Sequence, residues 1–479
     1  MRTPLRVAVT RAGRQGPRGY AEIVIRSLLV SALGDVVRID LSGLDDDRVR
    51  AVQDAWRDAL AADNVEADDG TPTVVPLTGL GVRAMLADLS QRVTLAALER
   101  ARGKLWMLHA AGVALDDGRV VALIGPSGRG KTTAARTLGA TFGYVSDETV
   151  AVARDGSALP YRKPLSVIEG EEPGAPKAQR APGDLGLRPL PDAPLNLAGI
   201  VLLDRRPDAG EEAVVEDVEL CDALTELVAQ TSYLTALDAP LQTIADHVAA
   251  VGGIRRVIYR EASSLVEVLP SLAEGGEVAE YRTATRVTMA PSTLDTPVYV
   301  RADAADAIEA VGDERLALLH VDETGQGTVR VLAGVAPVLW STAGGATLEQ
   351  LTDAAVAVHG EPEGDPTAAV TLALDELVEA GVLAFADPPA WRISDSVAWV
   401  DSGHRAVVLD LEDDACAPKA LEESAALIWF TIADNPGTVD EIVARVAEEA
   451  GADAGVVAPD VVAFLDQLRE SGWIAATAP

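Results

Sequence analysis

The run GPSGRGKT, Gly125 to Thr132, satisfies the pattern G-x-x-x-x-G-K-[ST], and its residue types define a phosphate-binding chemistry. The small residues Gly125, Ser127, Gly128 and Gly130, with Arg129 among them, let successive backbone N–H groups turn inward around phosphate oxygens. Lys131 supplies a point charge to the outer phosphates, and Thr132, followed by Thr133, offers a hydroxyl to Mg²⁺. The cofactors implied are ATP and Mg²⁺. Shortly downstream, YVSDETVAV places Asp147 and Glu148 at the end of an apolar run. Such a pair is either a solvated turn or, so close behind a phosphate loop, a pair of carboxylates able to hold Mg²⁺ or accept a proton. In the second case Thr132 and Asp147 are the metal ligands. A serine-glycine signature with a distant second acidic motif, the mark of a transporter-type ATPase, is missing from the chain.

The loop needs a strand before it and a helix after it, and the sequence provides both. RVVALIG is a short, continuous apolar run and Thr132 to Leu138 reads as helix. Upstream, the spacing predicts a strand at Leu5 to Val9, a helix near Tyr20 to Ala32 and a strand at Val36 to Leu41. A helix around Asp47 to Ala61, a strand at Thr73 to Pro76 and a long helix over Val82 to Ala101 follow, making a small α/β lobe with no catalytic constellation. Downstream, the proline-rich stretch Pro160 to Pro194 reads as a flap or connection, followed by the strand IVLLD and helices near Asp222 to Leu234 and Ala239 to Val251.

The remainder is an internal repeat. VRVLAGVAPVLW, ending at Trp340, aligns without gaps on PKALEESAALIW, ending at Trp429, and two apolar strands precede each segment. Each tryptophan is followed by a capping-box pattern, Thr347 to Gln350 and Thr438 to Glu441, and by a last helix in which Leu374 and Leu377 match Leu465 and Leu468. Each copy is therefore strands followed by three helices. The organisation expected is an N-terminal lobe over 1–100, a nucleotide domain over 101–275 and repeats over 285–388 and 391–479.

The 74 acidic and 40 basic side chains leave a net charge of −34, the wrong sign for a nucleic-acid partner or an anionic membrane. Two cysteines, Cys221 and Cys416, far apart and in no ligand spacing, fit a reducing compartment. The start MRTPLRVAVTRAG has no apolar core of a signal peptide and no run of about 18 apolar residues occurs, so a cytoplasmic protein is expected.

Two resemblances follow from these residues. LHAAGVALDDGRVVALIGPSGRGKTTAARTLGATFGYVSDETVAV resembles the core of the HPr serine kinase family, with its phosphoenolpyruvate-carboxykinase-like fold. The resemblance implies that Lys131 and Thr132 bind ATP and Mg²⁺, that Asp147 is a base or metal ligand, and that His109 is a nearby polar partner. One position departs: where the family has a second aspartate this chain has Glu148, whose longer carboxylate can still ligate a metal but is displaced for proton transfer. The two repeats are similar to PqqD-like domains, winged-helix modules of α+β type that recognise leader peptides of ribosomally made, post-translationally modified peptides. That similarity implies an extended peptide added to the third strand, at Val329 and Val331 or at Lys419 and Leu421, beside the last helix, with Leu374 and Leu377 or Leu465 and Leu468. It implies the precursor leader and the modifying enzymes of its pathway as partners. The helices that would enter a DNA groove carry more acids than bases, which argues against DNA reading; a duplicated packing domain is the other alternative. Because Pro418 stands where the first copy has Val329, the first copy is expected to offer the better edge. The fold class is a multidomain α/β chain. Its function is either leader recognition with an associated nucleotide site or ATP-dependent phosphorylation of a Ser or Thr of the bound peptide.

Overall fold

The computed structural model describes residues 27–62, 64–126, 130–168, 177–276, 278–287, 298–312, 314–386, 389–412 and 417–476. They divide into two compact units, one built from the chain up to Thr283 plus Ala304–Val331, the other from Ala284–Asp303 plus Leu332 onward. The architecture is mixed α/β with several separate sheets. Among the described residues, no helix is long and apolar enough to cross a membrane.

The first unit opens with a hairpin, Ser27–Ala32 on Asp35–Asp40, turned by Leu33 and Gly34, both at positive φ. The helix expected near Tyr20 to Ala32 is thus a strand from Ser27 on. SLLVSA alternates with period two, burying Leu28, Val30 and Ala32, and that pattern outweighs its helix-compatible composition. The strand expected at Leu5 to Val9 lies outside the described residues. Helices Asp46–Trp56, capped by the Asp45 side chain, and Val82–Ala101 cover this sheet around Trp56 and Leu89. The same core takes in Met107, Ala151 and Tyr161, so the lobe is continuous with the segment that follows it.

The central sheet has six strands in the order Val214–Val218, Ile254–Tyr259, Asn196–Arg205, Arg119–Ile124, Ala110–Ala114 and Gly143–Ser146. Asn196–Arg205 runs parallel to both of its neighbours and the remaining pairs are antiparallel. Two cores lie on it. One holds helices Leu220–Ala229 and Pro240–Ala250, the other helices Lys131–Gly139 and Leu265–Leu272. Burial on both faces explains why Arg119–Ile124 reads as a continuous apolar run. The proline-rich stretch corrects an expectation. Tyr161, Leu165, Ala181 and Leu187 are buried and the short strands Leu165–Val167 and Ala178–Arg180 pair, so most of the stretch is packed structure rather than a flap. Residues 169–176 lie outside the described set.

This unit also carries a four-stranded sheet, Tyr281–Thr283, Asp306–Ala310, Leu316–Val321 and Gly327–Leu332, hereafter the first sheet. One face, with Ile308, Ala317 and Leu319, packs against Leu241, Ile244, Ala245 and Val248 of helix Pro240–Ala250. That helix starts with Pro240 after Ala239, a residue with no capping side chain. Its cap comes instead from the sheet: the Asp306 carboxylate accepts the Leu241 and Gln242 amides at 2.7 and 3.4 Å. The other face, with Ala307, Leu316 and Leu318, is buried as well.

In the second unit, helices Ala336–Thr342, Leu348–His359 and Pro366–Glu379 accompany a strand pair, Val298–Arg301 with Leu383–Ala386. The chain then forms the second sheet, Val397–Asp401, Arg405–Asp410 and Lys419–Glu422, followed by helices Glu423–Asp434, Val439–Ala450 and Ala454–Glu470. The strand pair Trp391–Ile393 with Ile474–Ala476 closes it. The element order of residues 298–386 is repeated over 391–476, short strand, three-stranded ladder, three helices and returning strand. Both expected capping boxes form, at Thr347 with Gln350 and at Thr438 with Glu441. Val397, Ala406 and Val408 of the second sheet share a core with Ile428, Trp429, Leu465 and Leu468.

Candidate functional site

Strand Arg119–Ile124 leads into Gly125, and helix Lys131–Gly139 begins behind Gly130, whose φ of 93° is a left-handed conformation that suits glycine. A Cβ on Gly130 would stand 3.4 Å from the Tyr259 hydroxyl and 3.6 Å from Arg205 Cδ, so the loop is closely flanked by an aromatic hydroxyl and a cation. Lys131 is buried and donates to the Gly125 carbonyl at 2.5 Å. Burial lowers its pKa, because a desolvated ammonium with only a carbonyl for partner lacks a full counter-charge. An anion brought to the loop supplies that charge, so these residues fit a nucleotide's phosphates. Thr132 and Thr133 are exposed at the helix start, within the reach of a ligand. Ser127, Gly128 and Arg129 lie outside the described residues.

Strand Gly143–Ser146 carries the acidic pair toward this loop. Asp147 accepts the Tyr144 hydroxyl at 3.0 Å, and burial raises its pKa despite the attraction of Lys163. Tyr144 is itself pushed well up, by burial first and then by Asp147. Glu148 pairs with Lys163 at 2.8 Å. His109 sits between strands Trp106–Leu108 and Ala110–Ala114; burial lowers its pKa, as does Lys131, while Glu148 and Asp147 oppose the shift. The fold therefore brings Lys131, Asp147 and Glu148 each within electrostatic reach of His109. Among the described residues no group of three or more His, Cys, Asp or Glu is placed to hold a metal, so a Mg²⁺ ion here would take most of its ligands from phosphates and water.

Sequence reasoning missed Lys163, Tyr144, Arg205 and Tyr259. Lys163 is a buried cation inside the proline-rich stretch, and the signal for it was PYRKP, a lysine held between prolines. Arg205 and Tyr259 come from the ends of two neighbouring strands and meet at the loop only through sheet order.

The residues expected to contact a peptide separate into two groups. Leu374, Leu377, Leu465 and Leu468 are buried, and their i, i+3 spacing marks the core stripe of the last helices. The exposed apolar side chains there are Leu372 and Val456, 65% and 72% accessible. The strand residues stand nearer the edge. Val331 is exposed and Val329 is half-buried against the core of the first unit. Lys419 is exposed with its ammonium 5.0 Å from the Trp473 ring centroid, and Leu421 is half-buried. Both third strands stand at the end of their sheets, Gly327–Leu332 in the first and Lys419–Glu422 in the second. Pro418 precedes the second of these strands rather than interrupting it, so Lys419 to Glu422 all keep their N–H donors. Cys221 is buried beside the Tyr281 hydroxyl, and Cys416 lies outside the described residues.

Residues 405–474 match the family model described as Coenzyme PQQ synthesis protein D (PqqD). The match spans the second and third strands of the second sheet, all three helices after it and the first residue of the returning strand, and it supports a peptide-recognition element in this part of the chain. No curated protein matches the chain.

Proposed function

We propose that the chain captures the leader of a ribosomally made precursor peptide and presents it to separate modifying enzymes in the cytoplasm, with ATP and Mg²⁺ held at the Gly125–Thr133 loop of an HPr-kinase-like domain. The observation that carries this reading is the PqqD match on 405–474, over a segment whose third strand, Lys419–Glu422, ends its sheet. An extended peptide added there gains main-chain hydrogen bonds, while Leu421 and the Lys419–Trp473 contact give side-chain selectivity. The repeated element order over 298–386 supports a second, PqqD-like copy.

A second reading rests on the cluster at the loop. Lys131 and Thr132 would hold phosphates and Mg²⁺, the nucleotide supplying the phosphoryl group, and Asp147, a stronger base through burial, would accept the proton of a Ser or Thr hydroxyl of the captured peptide. Lys163 holds Glu148 in place beside it.

Binding of the cognate precursor leader tests the first reading. Proline at Ala420, or at Leu421 if that residue directs its N–H outward, should weaken binding at least tenfold, and Val331→Pro should weaken it far less. Circular dichroism checks that each variant is folded. Absence of binding by the parent chain would remove the recognition reading. Addition of ATP with Mg²⁺ should raise the melting temperature, and Lys131→Ala should erase most of that rise. Mass spectrometry of peptide, ATP and protein separates the readings: a phosphopeptide made by the parent but not by Asp147→Asn would establish the kinase.

A further inference from the structure

Three consecutive residues of the proline-rich stretch, Tyr161, Arg162 and Lys163, each reach a different part of the first unit. Pro160 and Pro164 bracket them and fix φ on either side, which stiffens the segment. It lies along the strand that ends in the acidic pair: the Tyr161 amide donates to the Val145 carbonyl at 3.2 Å, and the Arg162 guanidinium to the Tyr144 carbonyl at 2.5 Å. That guanidinium also stands 5.5 Å from the centroid of the Tyr144 ring, whose hydroxyl Asp147 accepts. Lys163 pairs with Glu148. Both carboxylates are thus held through this segment, one by way of Tyr144 and one directly.

Tyr161 joins the segment to the N-terminal lobe. It is fully buried in the lobe's core, and its hydroxyl lies 2.9 Å from that of Thr94 on helix Val82–Ala101. Thr94 has a single hydroxyl proton and donates it to the Ser90 carbonyl at 2.9 Å, so Tyr161 is the donor of the pair. A phenylalanine would fill the same space in that core, and what the hydroxyl adds is a fixed position. The same holds for Lys163. Burying an ammonium for one ion pair stabilises little against its desolvation, so its effect here is to place Glu148.

We infer that Tyr161 and Arg162 are positioning residues of the phosphate site, anchored by Thr94, and that the N-terminal lobe is thereby coupled to nucleotide binding. The inference rests on the proposed ATP and Mg²⁺ site. Coupling between two sites is reciprocal, so whatever the lobe does to the nucleotide's affinity, the nucleotide does to the lobe.

Hydrogen exchange on the full chain, with and without ATP and Mg²⁺, reads the coupling. Nucleotide should slow exchange in helix Lys131–Gly139 and also in helix Val82–Ala101. In Tyr161→Phe, at saturating nucleotide, the first effect should remain and the second should be lost, with an affinity about threefold weaker. Thr94 keeps its bond to Ser90 in that variant, and circular dichroism checks that it is folded. Tyr281→Phe, which removes a hydroxyl of the same unit outside this segment, should leave both effects in place. Slowing in helix Lys131–Gly139 alone would overturn the coupling, whereas no slowing anywhere would remove the nucleotide site instead. A nucleotide-free double-mutant cycle decides the coupling in either case. Thr94→Val and Glu148→Gln alter residues that share no hydrogen bond, yet in urea unfolding the pair should cost less than the sum of the two. Additive losses would mean that the lobe and the acidic pair are merely neighbours in one fold.

Discussion

The two repeats use the same order of elements for different ends, and the difference lies in what their sheets touch. The first sheet is built into its unit: Ile308, Ala317 and Leu319 close on helix Pro240–Ala250, Asp306 caps that helix, and the opposite face is buried too. The second sheet packs one face on its own three helices and leaves the other accessible. The same order of elements thus carries one sheet that is scaffold and one whose outer face is open. The family match falls on the open copy, the one whose edge and outer face are free to meet another molecule.

The strongest way to break this comparison is to place a charge on corresponding positions. Ile308 is fully buried, so Ile308→Asp puts a carboxylate into an apolar core and should cost more than about 3 kcal/mol, enough to unfold much of the first unit. Val400, paired with Val407 as Ile308 is with Ala317, faces water, and Val400→Asp should cost under about 1 kcal/mol, mostly the low strand propensity of aspartate. Urea denaturation of both variants measures the contrast. Similar losses would mean that the second face is covered in solution.

Asp306 gives the next largest effect. Asp306→Ala strands the Leu241 and Gln242 amides at a buried helix start and should cost about 1–2 kcal/mol, and Asp306→Asn should recover part of it. The position in the second sheet is Ala398, paired with Leu409 as Asp306 is with Leu319, and Ala398→Ser should be nearly neutral. A neutral Asp306→Ala, measured by thermal unfolding, would show that the first sheet is held by apolar contact alone.

How much of this was legible depended on whether the signal was local. Helix Val82–Ala101, both capping boxes and the final helices could be read because each is a pattern within a few consecutive turns of chain. The Ser27–Ala32 strand was misread because its period-two signal is short and its residues also suit a helix. Lys163 was hidden because proline density suggests irregular chain, whereas here it packs Tyr161 and Leu165 on either side of the lysine. The fate of the sheet faces could not be read at all. Ile308, Ala317 and Leu319 look like Val400, Val407 and Leu409 in type, and only the distant helix Pro240–Ala250 makes one set core and leaves the other surface.

The smallest contrast sharpens the comparison from the side of likeness. Both repeats start their second helix with a reciprocal cap: Gln350 N–H donates to the Thr347 hydroxyl at 3.3 Å while the Gln350 side chain takes the Thr347 amide at 2.9 Å. Glu441 and Thr438 do the same at 3.4 and 2.9 Å. Each box satisfies two N–H groups that helix geometry leaves without partners, so Thr347→Ala and Thr438→Ala should each cost about 1 kcal/mol. They should differ by only a few tenths, from two opposed terms. Thr347 is more buried, so its loss leaves donors farther from water; Glu441 is charged and sits in the first turn, so the second box also gains from the helix dipole. Raising the salt concentration separates the two, since screening weakens the Glu441 contribution and leaves the Gln350 box unchanged. If instead Thr438→Ala were neutral while Thr347→Ala was costly, the second copy's helices would be loosely set, and its open sheet would rest on a frayed support rather than on a domain as well formed as the first.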